Sequence, residues 1–220
     1  MPRRPTAYPG PDAVILSVPL RGPCRVQNSP ANRVPSHGTS AFGSSHAIDL
    51  VPVDEQGRSA PRTWRGLLTH EPPEVFVGFG RPVRSPVSGR VHVVHDDEPD
   101  HEARRSPFAL VGYLLGQPRR ARLGAPGLAG NHVVISIGAD GPFVLLAHLQ
   151  RGSMLVRPGE LVGEGAPVAR CGNSGNSTEP HVHLQVSDST DWTRARGLPF
   201  AFRRGDGSTW VPANAEIVRG

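Results

Sequence analysis

Residues 177–186 read STEPHVHLQV, and His181 and His183 within that run are the first side chains whose spacing can do chemistry. Side chains at i and i+2 of a strand leave by the same face. Both imidazoles then project into one space, while Val182 and Leu184 turn toward a core. One ring can bind a metal while the other reaches the water bound to it. Such a pair says little by itself, and Asp49 adds weight. It stands in AIDLVPV, an otherwise apolar run where a carboxylate is costly to bury without a cation, an arginine or backbone N–H groups beside it. His148, at the end of VLLAHLQ, sits in a similarly apolar setting. A zinc hydrolase needs about three protein ligands, an open position for water, and a base or orienting group beside that water. Two histidines and an aspartate would supply the ligands, and further histidines the second role. His70, His92, His95, His101 and His132 lack such neighbours in sequence and read as surface or hydrogen-bonded residues.

The elements that must position these groups read as strands. With 37% hydrophobic residues, 26 Gly and 24 Pro, the 220-residue chain suits short strands joined by many turns better than a helical bundle. DAVILSVPL is a buried-strand candidate, residues 21–45 a long polar loop, and HAIDLVPVD an extended segment. Residues 55–80 are mixed, with room for one short helix. RPVRSPVSGRVHVVHD gives two short strands around a Ser88–Gly89 turn, and NHVVISIGADGPFVLLAHLQ a hairpin around Ala139–Asp140–Gly141. Residues 96–130 interrupt this rhythm as a surface insertion with a helix predicted over Phe108–Leu115. Val156, Gly159, Val162, Gly165 and Val168 then recur at every third position, glycines for tight turns and valines for the core. The expected organisation is a flexible Pro-rich lead (1–12), a β domain (13–190), and a loop-rich tail (191–220) anchored by Trp192, Phe200, Phe202 and Trp210.

Charge and cysteine content narrow the classes. All 24 basic residues are arginine, and the formal charge of +5 favours an acidic partner such as an anionic polymer, anionic lipid or nucleic acid. The arginines are scattered, however, without the basic clusters and interleaved aromatics of a nucleic-acid binder. Two cysteines, Cys24 and Cys171, make neither a disulfide framework nor a thiolate zinc site, and unlinked thiols are expected. The apolar run Ala13–Leu20 carries Pro19 and is read as a strand rather than a signal peptide. No transmembrane segment is expected.

The ordered series SPVSGRV, NHVVISI, VLLAHL, VRPGELVGEGAPVA and CGNSGNSTEPHVHLQV resembles the LytM and lysostaphin-like zinc metallopeptidases, which cleave peptidoglycan cross-bridges. The resemblance runs from about Pro35 to Val186, is interrupted by the insertion, and is most specific from residue 131 onward. It implies a compact, mainly antiparallel β-sheet or sandwich of barrel-sandwich type, with a narrow groove walled by residues 21–45, 96–130 and 172–180. It also implies Zn²⁺ as cofactor and peptidoglycan peptides as substrate, met outside the cell or at the wall by a monomeric enzyme. Carried over by position, His183 is a zinc ligand, Asp49 the carboxylate ligand, and His148 and His181 the catalytic histidines.

The first ligand departs from the family pattern. Ser45 stands four residues before Asp49, where the family has histidine, and His46 is only three before it. An unbroken strand would point His46 away from Asp49, although a bulge could re-aim it. The resemblance therefore favours His37, in PSHGTSAFG, because some members carry a Ser-His pair in the preceding loop. His46 is then expected on the groove wall. Glu179 replaces the family's usual glycine before Pro-His and adds a carboxylate beside the groove. The competing implication is an inactive relative that binds cell-wall peptides or activates another hydrolase. The Val/Gly rhythm also resembles biotinyl and lipoyl carrier domains, but those need a lysine and this chain has none.

Overall fold

The computed structural model describes residues 9–61, 70–103 and 124–220. Along the chain the strands are β1 (Val14–Leu16), β2 (Pro23–Gln27), β3 (Ile48–Pro52), β4 (Pro82–Arg84), β5 (Gly89–His95), β6 (Asn131–Ser136), β7 (Phe143–Leu149), β8 (Leu161–Val162), β9 (Pro167–Arg170), β10 (Val182–Ser187), β11 (Phe200–Arg203), β12 (Thr209–Trp210) and β13 (Ile217–Arg219). A six-residue helix, α1 (Gly124–Ala129), precedes β6. The architecture is mainly β. Eight strands form one sheet in the order β13–β2–β3–β10–β7–β6–β5–β8, each neighbouring pair antiparallel. β1, β11 and β12 form a second sheet, with β1 and β11 parallel, and β4 pairs with β9.

The central strands explain their own burial. Every residue of β7 is buried because both faces of the sheet are covered there. Val144, Leu146 and Leu149 join the main core with Ile48, Leu50, Val182 and Leu184, whereas Phe143, Leu145 and Ala147 form a smaller cluster with Val134. Each large aliphatic side chain so enclosed contributes about 1.5–3 kcal/mol. Alternation in β10 thus places Val182, Leu184 and Val186 in the main core and frees the odd-numbered residues for the opposite face.

The glycine–valine rhythm acts as expected. Val156, Val162 and Val168 are buried, while Gly159 and Gly165 take φ of 89° and 82°. No atom lies within 4 Å of a Cβ built at either glycine, so the backbone dihedral and not crowding requires them. β5 and β6 flank residues 96–130, which makes this segment the long connection of a hairpin. The helix expected over Phe108–Leu115 lies outside the described residues. Cys24 and Cys171 are buried free thiols, with burial pushing Cys24 up to about 11 and Cys171 higher still.

Two parts of the chain depart from the sequence reading. The polar stretch 21–45 contains β2, whose Cys24 and Val26 point into the core while Arg25 and Gln27 face outward. Beyond residue 190, Phe200 and Phe202 are fully buried and β13 forms one edge of the eight-stranded sheet. The C-terminal segment is therefore woven into the structure with three strands of its own.

Candidate metal centre and cleft

Asp49 is the fixed point. Register places it opposite His183 on β10 and Gln27 on β2, and the residue is 6% exposed. Its Oδ2 accepts from Asn28 Nδ2 at 2.7 Å and faces His37 Nε2 at 3.1 Å. Its Oδ1 faces His183 Nδ1 at 2.9 Å and His181 Nε2 at 3.7 Å. Burial alone would raise this carboxyl, but the charges of His37 and His181 and the hydrogen bonds of His183 and His37 hold it well below the usual range.

Each imidazole around Asp49 is turned by an oxygen behind it. His148 Nδ1 donates to the Ser174 carbonyl at 2.9 Å, and His181 Nδ1 donates to the Glu179 carbonyl at 2.8 Å. Ser36 Oγ donates to the Ser44 carbonyl at 3.3 Å, which leaves it to accept from His37 Nδ1 at 3.1 Å. Gln185 Nε2 donates to the Phe42 carbonyl at 2.9 Å, so its Oε1 faces His183 and accepts from Nε2 at 3.1 Å. His148 Nε2 and His181 Nε2 thereby turn toward the centre, while His37 Nε2 and His183 Nδ1 face the Asp49 carboxylate, donating a hydrogen bond to it when no cation lies between them. The rings are close: centroids are 4.8 Å apart for His37 and His183, and 4.7 Å for His148 and His181.

That arrangement fits a cation. A lone pair of His183 Nδ1 and one of Asp49 Oδ1 cannot share 2.9 Å unless a proton or a metal ion stands between them. The ligand atoms of His37, Asp49 and His183 all lie within 4.8 Å of one another. Two imidazole nitrogens and a carboxylate oxygen are a donor set zinc accepts, with a further position left open. The oxygen partners behind the two rings supply the outer support that orients metal-binding histidines. Without an ion, the buried Asp49 carboxylate raises the pKa of His183 against the desolvation that would lower it. His148 lies well below the ordinary value because it is buried, with His181 and His183 beside it adding to the effect.

His148 reaches the centre through an irregular backbone. Ala147 and His148 both line the cleft, which a regular strand does not allow for consecutive residues. His148 has φ of 61°, and the β6–β7 register shifts between Asn131 and Val133. The left-handed residue re-aims the ring, a strained conformation of the kind held at functional sites.

The cleft around the centre is a cavity of about 560 Å³. His37, Thr39 and Phe42 come from residues 21–45, Leu128 and Ala129 from residues 96–130, and Asn176 and Glu179 from residues 172–180. All three expected wall segments are therefore present, joined by Trp192. His46 is not among the lining residues: its Nδ1 meets the Gly197 carbonyl at 3.1 Å, and burial lowers its pKa. It ends the turn at 41–46 (Ala41–His46), where the chain has not yet entered β3.

Residues 116–194 match the family model described as Peptidase family M23. The matched stretch covers 79 of the 220 residues and is similar to that family there. Among solved structures it is similar to the catalytic domain of the antimicrobial peptidase lysostaphin from Staphylococcus simulans, with 17% identity over 72% of this chain and 80% of that one, at a TM-score of 0.38. A variant catalytic domain of the prophage-encoded M23 protein EnpA from Enterococcus faecalis is similar at 15% identity, over 86% of this chain and 90% of that one, at a TM-score of 0.39. A zinc-containing peptidase from Vibrio cholerae is similar at 19% identity, over 69% of this chain and 45% of that one, at a TM-score of 0.33. No curated protein matches the chain.

The matched stretch spans His148, His181 and His183 but stops short of His37 and Asp49. Those two join the centre through the fold: β3 pairs with β10, and the loop before β3 brings His37 over. Sequence reasoning missed Gln185, Asn28 and Ser36. Gln185 was within reach, because it sits two residues beyond His183 on the same strand face. The carbonyls of Ser174 and Glu179 carry no side-chain signal. Glu179 lines the cleft, with Oε2 accepting from Ser59 at 2.6 Å and Oε1 lying 3.8 Å from Arg25. His70, His92, His95, His101 and His132 stand outside the donor set.

Proposed function

We propose that this protein is a zinc-dependent endopeptidase that hydrolyses peptide bonds in peptidoglycan stem peptides or cross-bridges. The observation that carries this reading is the convergence of oriented imidazoles on the buried Asp49 carboxylate, within an open cleft. His37 Nε2, Asp49 and His183 Nδ1 would hold the metal. A bound zinc supplies a water whose pKa falls to roughly 7 and an electrophile for the peptide carbonyl.

His181 and His148 carry the proton traffic. Each turns its Nε2 toward the centre, its Nδ1–H fixed on a backbone carbonyl. Either can take a proton from the attacking water, and the carbonyl behind it then steadies the imidazolium. The proton so held is available to the departing amine. The M23 match supports peptide bonds as the target, and the formal charge of +5 suits an anionic wall polymer. The position of His37 beside Asp49 supports activity over an inactive binding role, since it supplies the ligand that Ser45 cannot.

The test measures zinc content and muropeptide cleavage in wild type, His37→Ala, His46→Ala and His183→Ala. Wild type binds zinc and cleaves, and a chelator abolishes cleavage. His37→Ala and His183→Ala lose both properties, whereas His46→Ala keeps them. Full zinc and activity in His183→Ala would sink the central assignment. Metal loss in His46→Ala alone would move the first ligand there.

A further inference from the structure

We infer that Gln185 is the positioning residue that aligns both histidine ligands, an inference that rests on the proposed zinc centre. Gln185 is 3% exposed, and its carboxamide is used at both ends. Oε1 accepts from His183 Nε2 and thereby turns Nδ1 toward Asp49. Nε2 donates to the Phe42 carbonyl in the turn that precedes β3.

That turn is shaped to receive it. Phe42 and Gly43 take consecutive left-handed conformations, with φ of 58° and 74°. A Cβ at Gly43 would stand 3.2 Å from Ser187 Cβ and 3.4 Å from Gln185 Nε2, so the turn lies tightly on β10. Its next residues reach His37: the Ser45 carbonyl accepts from Ser36 N at 2.9 Å, and the Ser44 carbonyl accepts from Ser36 Oγ. Ser36 Oγ in turn holds His37 Nδ1. One carboxamide thus links the strand bearing His183 to the turn that orients His37. Outer partners of this kind typically change metal affinity by about 10–100-fold when removed.

Two substitutions separate the roles. Gln185→Leu keeps the volume but removes both hydrogen bonds. Gln185→Glu keeps an acceptor for His183 and loses the donor to Phe42. Zinc affinity is measured by competition with a chromophoric chelator, and the site geometry by the visible absorption of the cobalt-substituted protein. Affinity is expected to fall by about 10–100-fold in Gln185→Leu and by a smaller factor in Gln185→Glu, with altered cobalt bands in both. Wild-type affinity and spectrum in both variants would overturn the inference. Should Gln185→Leu fail to fold, Gln185→Glu decides alone, and unchanged affinity there overturns it. A wild-type protein that binds no zinc overturns the parent reading together with this one, so the two failures are told apart by the wild-type arm.

Discussion

His95 and His132 also bring two imidazoles together, and their difference from the centre at Asp49 is instructive. The two rings stack with centroids 5.4 Å apart, and Trp192 meets His132 edge-on at 6.4 Å. His132 Nδ1 donates to the Gly130 carbonyl at 2.7 Å, so even the orienting oxygen is present. The carboxylate is what differs. His95 Nε2 is buried without a hydrogen-bond partner among the described residues and lies 3.9 Å from Glu98, whose side chain is 40% exposed. Asp49 has a side chain only 9% exposed and is faced by His37, His181 and His183. In the zinc-centre proposal, a buried anion standing where the imidazoles meet is what turns such a cluster into a cation site. Without that anion it is a polar packing element beside a tryptophan.

The strongest way to break the contrast is Asp49→Asn, which keeps the shape and removes the charge. Zinc affinity should drop by more than the ~10–100-fold typical of outer partners, and cleavage should vanish with it. Chelator competition on the folded variant is the measurement, and retained affinity would mean that the imidazoles alone hold the ion. Within the centre, His148→Ala and His181→Ala should sharpen the division of labour. Both are expected to keep zinc while kcat/KM for a muropeptide falls by about 10²–10⁴-fold. Parallel loss of zinc in either would make that histidine a ligand.

Much of this was legible in the chain because alternation exposes strand faces. His181 and His183 on one side, with Val182 and Leu184 on the other, follow from the period of two, as does the suspicion attached to Asp49 in an apolar run. Backbone irregularity was not legible. Nothing in VLLAHLQ announces φ of 61° at His148, and that single dihedral sets the ring in the cleft. β2 was hidden because PCRVQ offers just Cys24 and Val26 to the core, too few for a strand signal amid Pro, Arg and Gln. The partners behind the rings were hidden for another reason: two of them are carbonyls, which every residue possesses.

The smallest effect tests the other member of the comparison. His132 is 3% exposed, and burial lowers its pKa, an effect that the Gly130 carbonyl opposes and His95 reinforces. A histidine depressed in the folded state binds fewer protons there than in the unfolded chain, so it lends stability above the unfolded value of about 6.5. That contribution is lost as the pH falls from there toward the folded value. Between pH 6.5 and 5.5 the loss is bounded at about 1.4 kcal/mol for one group. Urea unfolding of the chelator-treated protein should therefore show a weaker acid dependence in His132→Phe than in wild type. Zinc affinity and muropeptide cleavage should stay at wild-type levels in that variant. A fall in metal binding there would join the two clusters into one functional unit and remove the distinction drawn from Asp49.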